Sequence, residues 1–312
     1  MRYLVHPATI HDGDLTVPGD KSISHRALMF SAIADGESMV SGFLAGEDCL
    51  ATMAALRDMG VMIEDQGNSK LLIRGCGRRG LRAPSGALDM GNSGTAMRLF
   101  AGLLAGQAFD CLLTGDESLT RRPMGRVIAP LESMGAHIES RNGLPPLAIR
   151  GNTTLCAIDY DLPVASAQVK SAILLAGLYA SGNTTVTEPA ITRDHTERML
   201  GSMGVEVQCH GRTIGIKGGQ ALRGTRIAIP ADLSSAAFLI LATLISRDAE
   251  LIIRNVGVNP TRTGVIDILR MMGARIDLTD HRMAGEEPVA DLKVRASALH
   301  GVDVDPGLVS LA

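Results

Sequence analysis

Tryptophan is absent from this chain, and aromatic side chains of all kinds make up 3% of its 312 residues. Any core must therefore be built from Leu, Ile, Val, Ala and Met. No excess of one charge is present either. The net charge is −3, which gives no footing for a nucleic-acid or membrane surface, so an anion site has to come from local clustering of cations. Cysteines are few and scattered, at 49, 76, 111, 156 and 209, with no Cys-x-x-Cys pair. An odd, dispersed set reads as buried thiols in a reducing cytoplasm and excludes a disulfide frame or a zinc site. The eight histidines show no metal-ligand spacing. His6, His11, Asp12 and Asp14 spoil a signal peptide. The longest apolar stretch, Ala236 to Ile245, is too short to cross a bilayer.

What remains is an ordinary globular composition, 46% hydrophobic and 20% charged, with 35 glycines. The length points to about two domains. An internal repeat gives them a pattern. Four polar helix starts, Ser22-Ile23-Ser24, Asn92-Ser93-Gly94, Ser166-Ala167-Gln168 and Leu233-Ser234-Ser235, each open an apolar run. Each is followed by a second helix ending in Met-Gly-Val/Ala: Met59-Gly60-Val61, Met134-Gly135-Ala136, Met203-Gly204-Val205 and Met272-Gly273-Ala274. A period of ~70 residues is too long for a thin solenoid and suits small α/β modules packed around common helices. Each glycine fits the position just past a helix end, and alternating residues follow it as a strand. Three units are expected between Gly19 and Pro230. A strand from Val5 to Val17 is expected to join a fourth unit that starts near Asp232. The predicted domains are 19–230, and 1–18 with 231–312, the second incomplete.

The richest stretch is Pro18-Gly19-Asp20-Lys21-Ser22-Ile23-Ser24-His25-Arg26. It puts an ammonium, two hydroxyls and a guanidinium on the opening turn of a helix that buries Ala27, Phe30, Ile33 and Ala34. A helix N-terminus carries unpaired N–H groups and partial positive charge, so phosphate or carboxylate binding is the direct reading. Plain capping by the serines is the alternative. It is not a P-loop, because Asp20 stands where the second glycine belongs. Gly91, Asn92, Ser93, Gly94 and Thr95 let backbone N–H groups approach a ligand, with Arg98 four residues after Gly94; a tight capped turn would look the same. Arg121, Arg122 and Arg126 bring three guanidinium forks close together, Arg122 being the one favoured as a ligand. Ser166 and Gln168 repeat the theme at a third helix start. Asp194 and His195 are neighbours that cannot face each other on a helix, so Asp194 reads as a cap and His195 as structural. If the repeats share an axis, these helix mouths converge on one small, multiply charged substrate.

Taken in order over essentially the whole chain, Pro18–Arg26, Asn92–Arg98, Gly115–Arg122, Ser166–Gln168, Arg193–Glu197 and Asn259-Pro260-Thr261-Arg262 resemble the 5-enolpyruvylshikimate-3-phosphate synthase family. The resemblance implies an α/β (α+β) enolpyruvyl transferase-like fold, two-lobed and made of repeated βαβαββ units. It implies enolpyruvyl transfer from phosphoenolpyruvate to the 5-hydroxyl of shikimate 3-phosphate, with release of phosphate, no metal and no cofactor, in a cytoplasmic monomer. Carried over by motif, Lys21 would touch both substrates and act in catalysis. Ser22 and Arg26 would hold the shikimate carboxylate and hydroxyls. Asn92, Gly94 and Arg122 would line the phosphoenolpyruvate pocket, with Gly94 leaving room for glyphosate. Ser166 would bind the 3-phosphate, and Gln168 would lie between the substrates. Ala167 stands where some relatives have a second serine, and Arg193 would reach the phosphate. Arg98 and Asp232 are candidates for a closing pair.

Members of the family are longer, with six units against the four read here. The family's acidic base for the 5-hydroxyl, its proton-donating Glu and further Lys and Arg ligands are expected beyond Ala312. The chain by itself is therefore expected to be a partial, weakly active or inactive form that binds shikimate 3-phosphate. The sister transferase acting on UDP-N-acetylglucosamine is a weaker match. It carries a reactive cysteine in the loop corresponding to Thr114–Arg122, where this chain has none.

Overall fold

The computed structural model describes Leu4, His6, residues 11–309 and residues 311–312. They form two compact units, Lys21–Ile229, and Met1–Asp20 together with Pro230–Ala312.

The larger unit is three copies of one motif. The first holds α1 (Lys21–Ala32), β2 (Ala34–Ser41), α2 (Glu47–Asp58), β3 (Met62–Gly67) and β4 (Lys70–Cys76), after β1 (Gly13–Leu15) of the other unit. The second runs β5 (Leu88–Asp89), α3 (Gly94–Leu104), β6 (Cys111–Thr114), α4 (Gly125–Ser133), β7 (His137–Arg141) and β8 (Leu144–Arg150). The third runs β9 (Asp159–Asp161), α5 (Ala167–Gly177), β10 (Asn183–Thr187), α6 (His195–Ser202), β11 (Val207–His210) and β12 (Thr213–Lys217). The sheets of the second and third copies each have one parallel pair and two antiparallel pairs, in the orders β5-β6-β8-β7 and β9-β10-β12-β11. In the first copy the parallel strand comes from the end of the unit: β13 (Leu222–Arg223) and β14 (Arg226–Ala228) both lie parallel to β2.

The smaller unit is a fourth copy: α7 (Leu233–Leu244), β15 (Glu250–Gly257), α8 (Gly264–Met271), β16 (Arg275–Ala284) and β17 (Glu287–Arg295), followed by a single-turn α9 (Pro306–Val309). Its parallel strand is β1, paired Gly13↔Leu251 through Leu15↔Ile253. Of the strand expected over Val5 to Val17, Gly13–Leu15 is present, while Val5 and residues 7–10 lie outside the described residues. The unit has its own core, centred on Ile240, Leu244, Ile253 and Leu292.

The repeated Met-Gly-Val/Ala ends are four copies of one helix stop. Gly60, Gly135, Gly204 and Gly273 have φ of 90°, 94°, 87° and 96°, a region open to glycine at little cost. The next N–H reaches back to close the turn, from Val61, Ala136, Val205 and Ala274 to the carbonyls of Leu56, Leu131, Leu200 and Leu269. That is the Schellman pattern, with its apolar pair. The methionine carbonyl before each glycine accepts an N–H from the chain beyond the following hairpin: Arg82, Cys156, Arg223 and His300. One short motif thus ends the second helix and pins the exit of each copy.

The opening helices α1, α3 and α5 form the middle of the larger unit, and α1 is buried from Ile23 through Ala32. Helices α3 and α5 approach so closely that a Cβ on Gly102 would lie 2.2 Å from the Ala172 carbonyl oxygen. The far ends of these helices are pinned together. Arg78 donates to the Leu178 carbonyl, Arg79 donates to the Gly106 carbonyl, and both guanidiniums stand within 6 Å of the Tyr179 ring centre, at 5.8 and 5.6 Å.

Three local expectations are corrected. Only Cys49 and Cys111 are buried, Cys76 is half-buried, and Cys156 and Cys209 are exposed. By sequence Pro123 fits the first turn of the next helix, with Arg121 and Arg122 at its mouth; α4 instead starts at Gly125, and Pro123 follows a short 3-10 turn and holds Arg122 extended. Asp194 takes the N-cap position of α6 without capping it, because its carboxylate accepts from Arg198 at 2.8 Å.

Candidate anion site at the helix N-termini

The opening turns of α1, α3 and α5 are joined side to side by polar contacts. Ser93 caps α3 by accepting from the Ala96 N–H, and its hydroxyl meets Nε2 of His25, on the first turn of α1, at 3.2 Å. His25 Nδ1 is 2.8 Å from the Thr52 hydroxyl on α2. Gln168, on the first turn of α5, donates through Nε2 to the Thr95 hydroxyl on α3 at 2.9 Å. It accepts through Oε1 from Arg98 at 2.8 Å. Arg26 reaches from α1 to α5 and α6, with Nε to Thr196 at 2.7 Å and Nη2 to Ser171 at 2.8 Å. Three helix N-termini, each with its partial positive charge, therefore meet in one region of the larger unit.

Cations gather at the same place. Arg98 also donates to the carbonyls of Gly94 and Pro123, and Arg122 donates to the Asn92 amide oxygen and to Ser118 Oγ. A Cβ on Gly94 would stand 2.8 Å from Arg98 Nη1 and 3.3 Å from Arg122 Nη1. The bare backbone at Gly94 is what lets two guanidiniums lie over the start of α3. Burial, then the neighbouring charges of Arg122 and Arg126, hold the Arg98 pKa below its ordinary value. Such crowding of like charge in one spot is relieved by an anion. The Asn92 amide donates to Asp116, and this bond, with the Leu119 N–H, keeps the Asp116 carboxyl below its usual range.

The sequence-predicted residues divide as follows. Asn92, Gly94, Arg122 and Gln168 belong to one connected cluster with Arg98. Ser166 is the N-cap of α5, accepting from the Val169 N–H, and Ala167 is the first residue of that helix, its carbonyl accepting from Ser171. Lys21 is half-exposed at the first position of α1, its ammonium 3.1 Å from Asp48 on α2. Ser22 offers its carbonyl to Arg26. Arg26 itself is 2% exposed, so its fork organises the floor between α1, α5 and α6. Arg193 is half-buried in the loop that leads into α6. Arg98 and Asp232 each bond within their own unit, Asp232 lying 3.6 Å from Arg262. Arg121 pairs with Glu117 on the surface.

Several contacts of the site escaped the sequence reading. His25, Thr95, Ser171 and Thr196 supply the cross-links, and Lys170 forms a buried triad with Glu188 and Glu197 at 2.8 and 2.6 Å. The one available signal was the placing of Lys170 and Ser171 in an otherwise apolar helix. Cys111 sits on β6, and burial pushes its thiol up to about 12, which removes it as a nucleophile near neutral pH. Among the described residues no group of His, Cys, Asp and Glu could hold a metal ion, and no helix is long and apolar enough to cross a membrane.

The chain is similar to known proteins along nearly its whole length. The family described as EPSP synthase (3-phosphoshikimate 1-carboxyvinyltransferase) matches residues 5–306. The 3-phosphoshikimate 1-carboxyvinyltransferase of Alkalilimnicola ehrlichii is 57% identical over 313 residues, covering 100% of this chain and 70% of that protein. The protein of the same name from Nitrosococcus oceani is 54% identical, with the same coverage. A solved EPSP synthase from Acinetobacter baumannii superposes with a TM-score of 0.90 at 52% identity, over 98% of this chain and 69% of that one.

Proposed function

The chain belongs to the EPSP synthase, or 3-phosphoshikimate 1-carboxyvinyltransferase, family, and from that premise we propose that its helix-mouth cluster binds the two anionic substrates of enolpyruvyl transfer. The reaction moves the enolpyruvyl group of phosphoenolpyruvate to the 5-hydroxyl of shikimate 3-phosphate and frees phosphate, a step in the shikimate pathway to aromatic amino acids. Asn92, Gly94 and Arg122 take phosphoenolpyruvate, where Arg98 and Arg122 crowd over the start of α3. Ser166 and Arg193 take the 3-phosphate. Ser22 and Arg26 serve the shikimate ring and carboxylate. Gln168 stands between the two, and Lys21 reaches both by leaving Asp48.

The observation that carries the reading is the bridging of Gln168 to Thr95 and Arg98. It couples the α5 mouth, assigned to the shikimate ligand, to the α3 mouth, assigned to phosphoenolpyruvate. Preorganised donors aimed at developing negative charge are the main resource of a reaction without a metal. All these residues lie on one chain and its cysteines are free, which favours a monomer in a reducing cytoplasm. Calorimetric titration with shikimate 3-phosphate, for the wild type and for Lys21→Ala and Arg193→Ala, tests the assignment. Binding by the wild type and weakening in the variants is expected; absence of heat throughout would remove it. Phosphate release is measured separately, because the resemblance puts the acid–base residues in a part of the family's length that this chain does not span.

A further inference from the structure

We propose that Lys170 is a positioning residue for Arg193, and through it for recognition of the 3-phosphate; the inference rests on the assignment of Arg193 given above.

Lys170 lies on α5, four residues after Ser166 and two after Gln168, and its N–H bonds the Ser166 carbonyl at 3.0 Å. The side chain runs inward and is 1% exposed. Its ammonium holds two carboxylates, Glu188 Oε2 at 2.8 Å and Glu197 Oε1 at 2.6 Å, which are 2% and 7% exposed. Glu188 directly follows β10 and Glu197 lies in the first turn of α6. The segment between them carries Arg193. Within that segment the Thr192 hydroxyl donates to the other oxygen of Glu188. One ammonium therefore ties both ends of the Arg193 loop to the opening turn of α5.

The energetics favour a geometric role over a stabilising one. Desolvating three ions costs about as much as their attraction returns, and apolar replacements of such groups are often as stable or more so. What an ion triad supplies that apolar packing does not is direction: an ammonium with two fixed acceptors holds the loop in one place. Burial works against the charge of Lys170, but Glu197 and Glu188 outweigh it and raise its pKa, so the pin is charged at neutral pH. A second strap, Ser171 to Thr196 at 2.7 Å, holds the α6 side of the loop. The Lys170 contacts hold both sides.

The test compares affinities for shikimate 3-phosphate and for shikimate, which lacks the phosphate, by calorimetry. The variants are Arg193→Ala, Lys170→Met, their double, and the charge-free triple Lys170→Met/Glu188→Gln/Glu197→Gln. The triple leaves no uncompensated buried ion, so it keeps the test usable where Lys170→Met unfolds. Displacing a binding group by about an ångström is worth a factor on the order of tenfold or more. The expected result is a loss of about that size for shikimate 3-phosphate in the Lys170 variants. Shikimate affinity should be unchanged, and the double should be no weaker than Arg193→Ala. A folded triple with wild-type affinity for shikimate 3-phosphate would overturn the proposal, as would equal losses for both ligands. An Arg193→Ala that binds like the wild type would instead overturn the phosphate assignment of Arg193.

Discussion

Arg98 and Gln168, 70 residues apart in sequence, meet at 2.8 Å across the opening turns of α3 and α5. The guanidinium at this contact is half-buried and crowded by Arg122 and Arg126, and the amide it meets also holds the Thr95 hydroxyl. One neutral side chain thus fixes a cation at one helix mouth while belonging to another.

Removing that amide should affect both ligands. In Gln168→Ala, Arg98 loses an acceptor and Thr95 a donor; the bond to the guanidinium is worth about 1.5–3 kcal/mol and the neutral one to Thr95 about 0.5–1.5 kcal/mol. Affinity for phosphoenolpyruvate and for shikimate 3-phosphate should each fall by about tenfold or more. Gln168→Glu should weaken phosphoenolpyruvate selectively, because a carboxylate neutralises Arg98. Equal affinities in wild type and Gln168→Ala, measured by titration, would contradict the bridging role.

Gly94→Ala separates fold from site. The added Cβ meets only the far ends of two flexible side chains, Arg98 and Arg122, so they move and the helix stays. Stability should change by less than about 1 kcal/mol. Phosphoenolpyruvate and glyphosate should both bind more weakly, glyphosate by the larger factor. A wild-type glyphosate inhibition curve in the variant, measured with the complete enzyme, would show that the space over Gly94 is not used.

Acid should loosen the Arg122 side of the site. The Asp116 carboxyl is held below its ordinary 3.8 by the Asn92 amide and the Leu119 N–H. A depressed carboxylate contributes order that is complete above its unfolded value and is lost as pH falls through the lowered one. The part of the phosphoenolpyruvate affinity that Asp116 supplies should therefore hold from neutrality to about pH 4 and then fall. Asp116→Asn should be weaker at neutral pH, with the acid-dependent part of the fall reduced. The readout is a titration series in pH, compared between the two proteins.

The repeat was legible because its punctuation is local. A glycine past a helix end and a polar residue before the next are set by backbone chemistry within a few positions, and Ser93, Ser166 and Asp232 accept from N–H groups of their helices as such residues do. The convergence of Asn92, Gly94, Arg122 and Gln168 was legible through the resemblance and the repeat together. The cross-links were not. Arg26 looks like a surface cation at a helix start, yet Thr196 and Ser171, 170 and 145 positions away, draw it into the interior. The pairing of Lys170 with Glu188 and Glu197 is equally non-local. Asp194 stood where a cap belongs, and Arg198, one helical turn on, took its carboxylate.

Two glycines distinguish conformational cost from crowding. Gly135 has φ of 94°, and a Cβ there would find only Asn152 Nδ2 at 4.0 Å. Gly135→Ala should therefore carry the left-handed backbone cost alone, about 1–2 kcal/mol, or a drop of roughly 2–4 °C in melting temperature per kcal/mol. Gly102 has no such φ, but its Cβ would lie 2.2 Å from the Ala172 carbonyl and 2.7 Å from the Ala172 Cα. Backbone cannot swing aside as a side-chain tip does, so α3 and α5 must separate. Gly102→Ala should cost about 3 kcal/mol or more. It should also weaken both ligands, because the same two helices carry Arg98 and Gln168, whereas Gly135→Ala should leave binding intact. A Gly102→Ala protein that melts and binds like the wild type would mean that the close approach of α3 and α5 is not what sets the spacing of the two helix mouths.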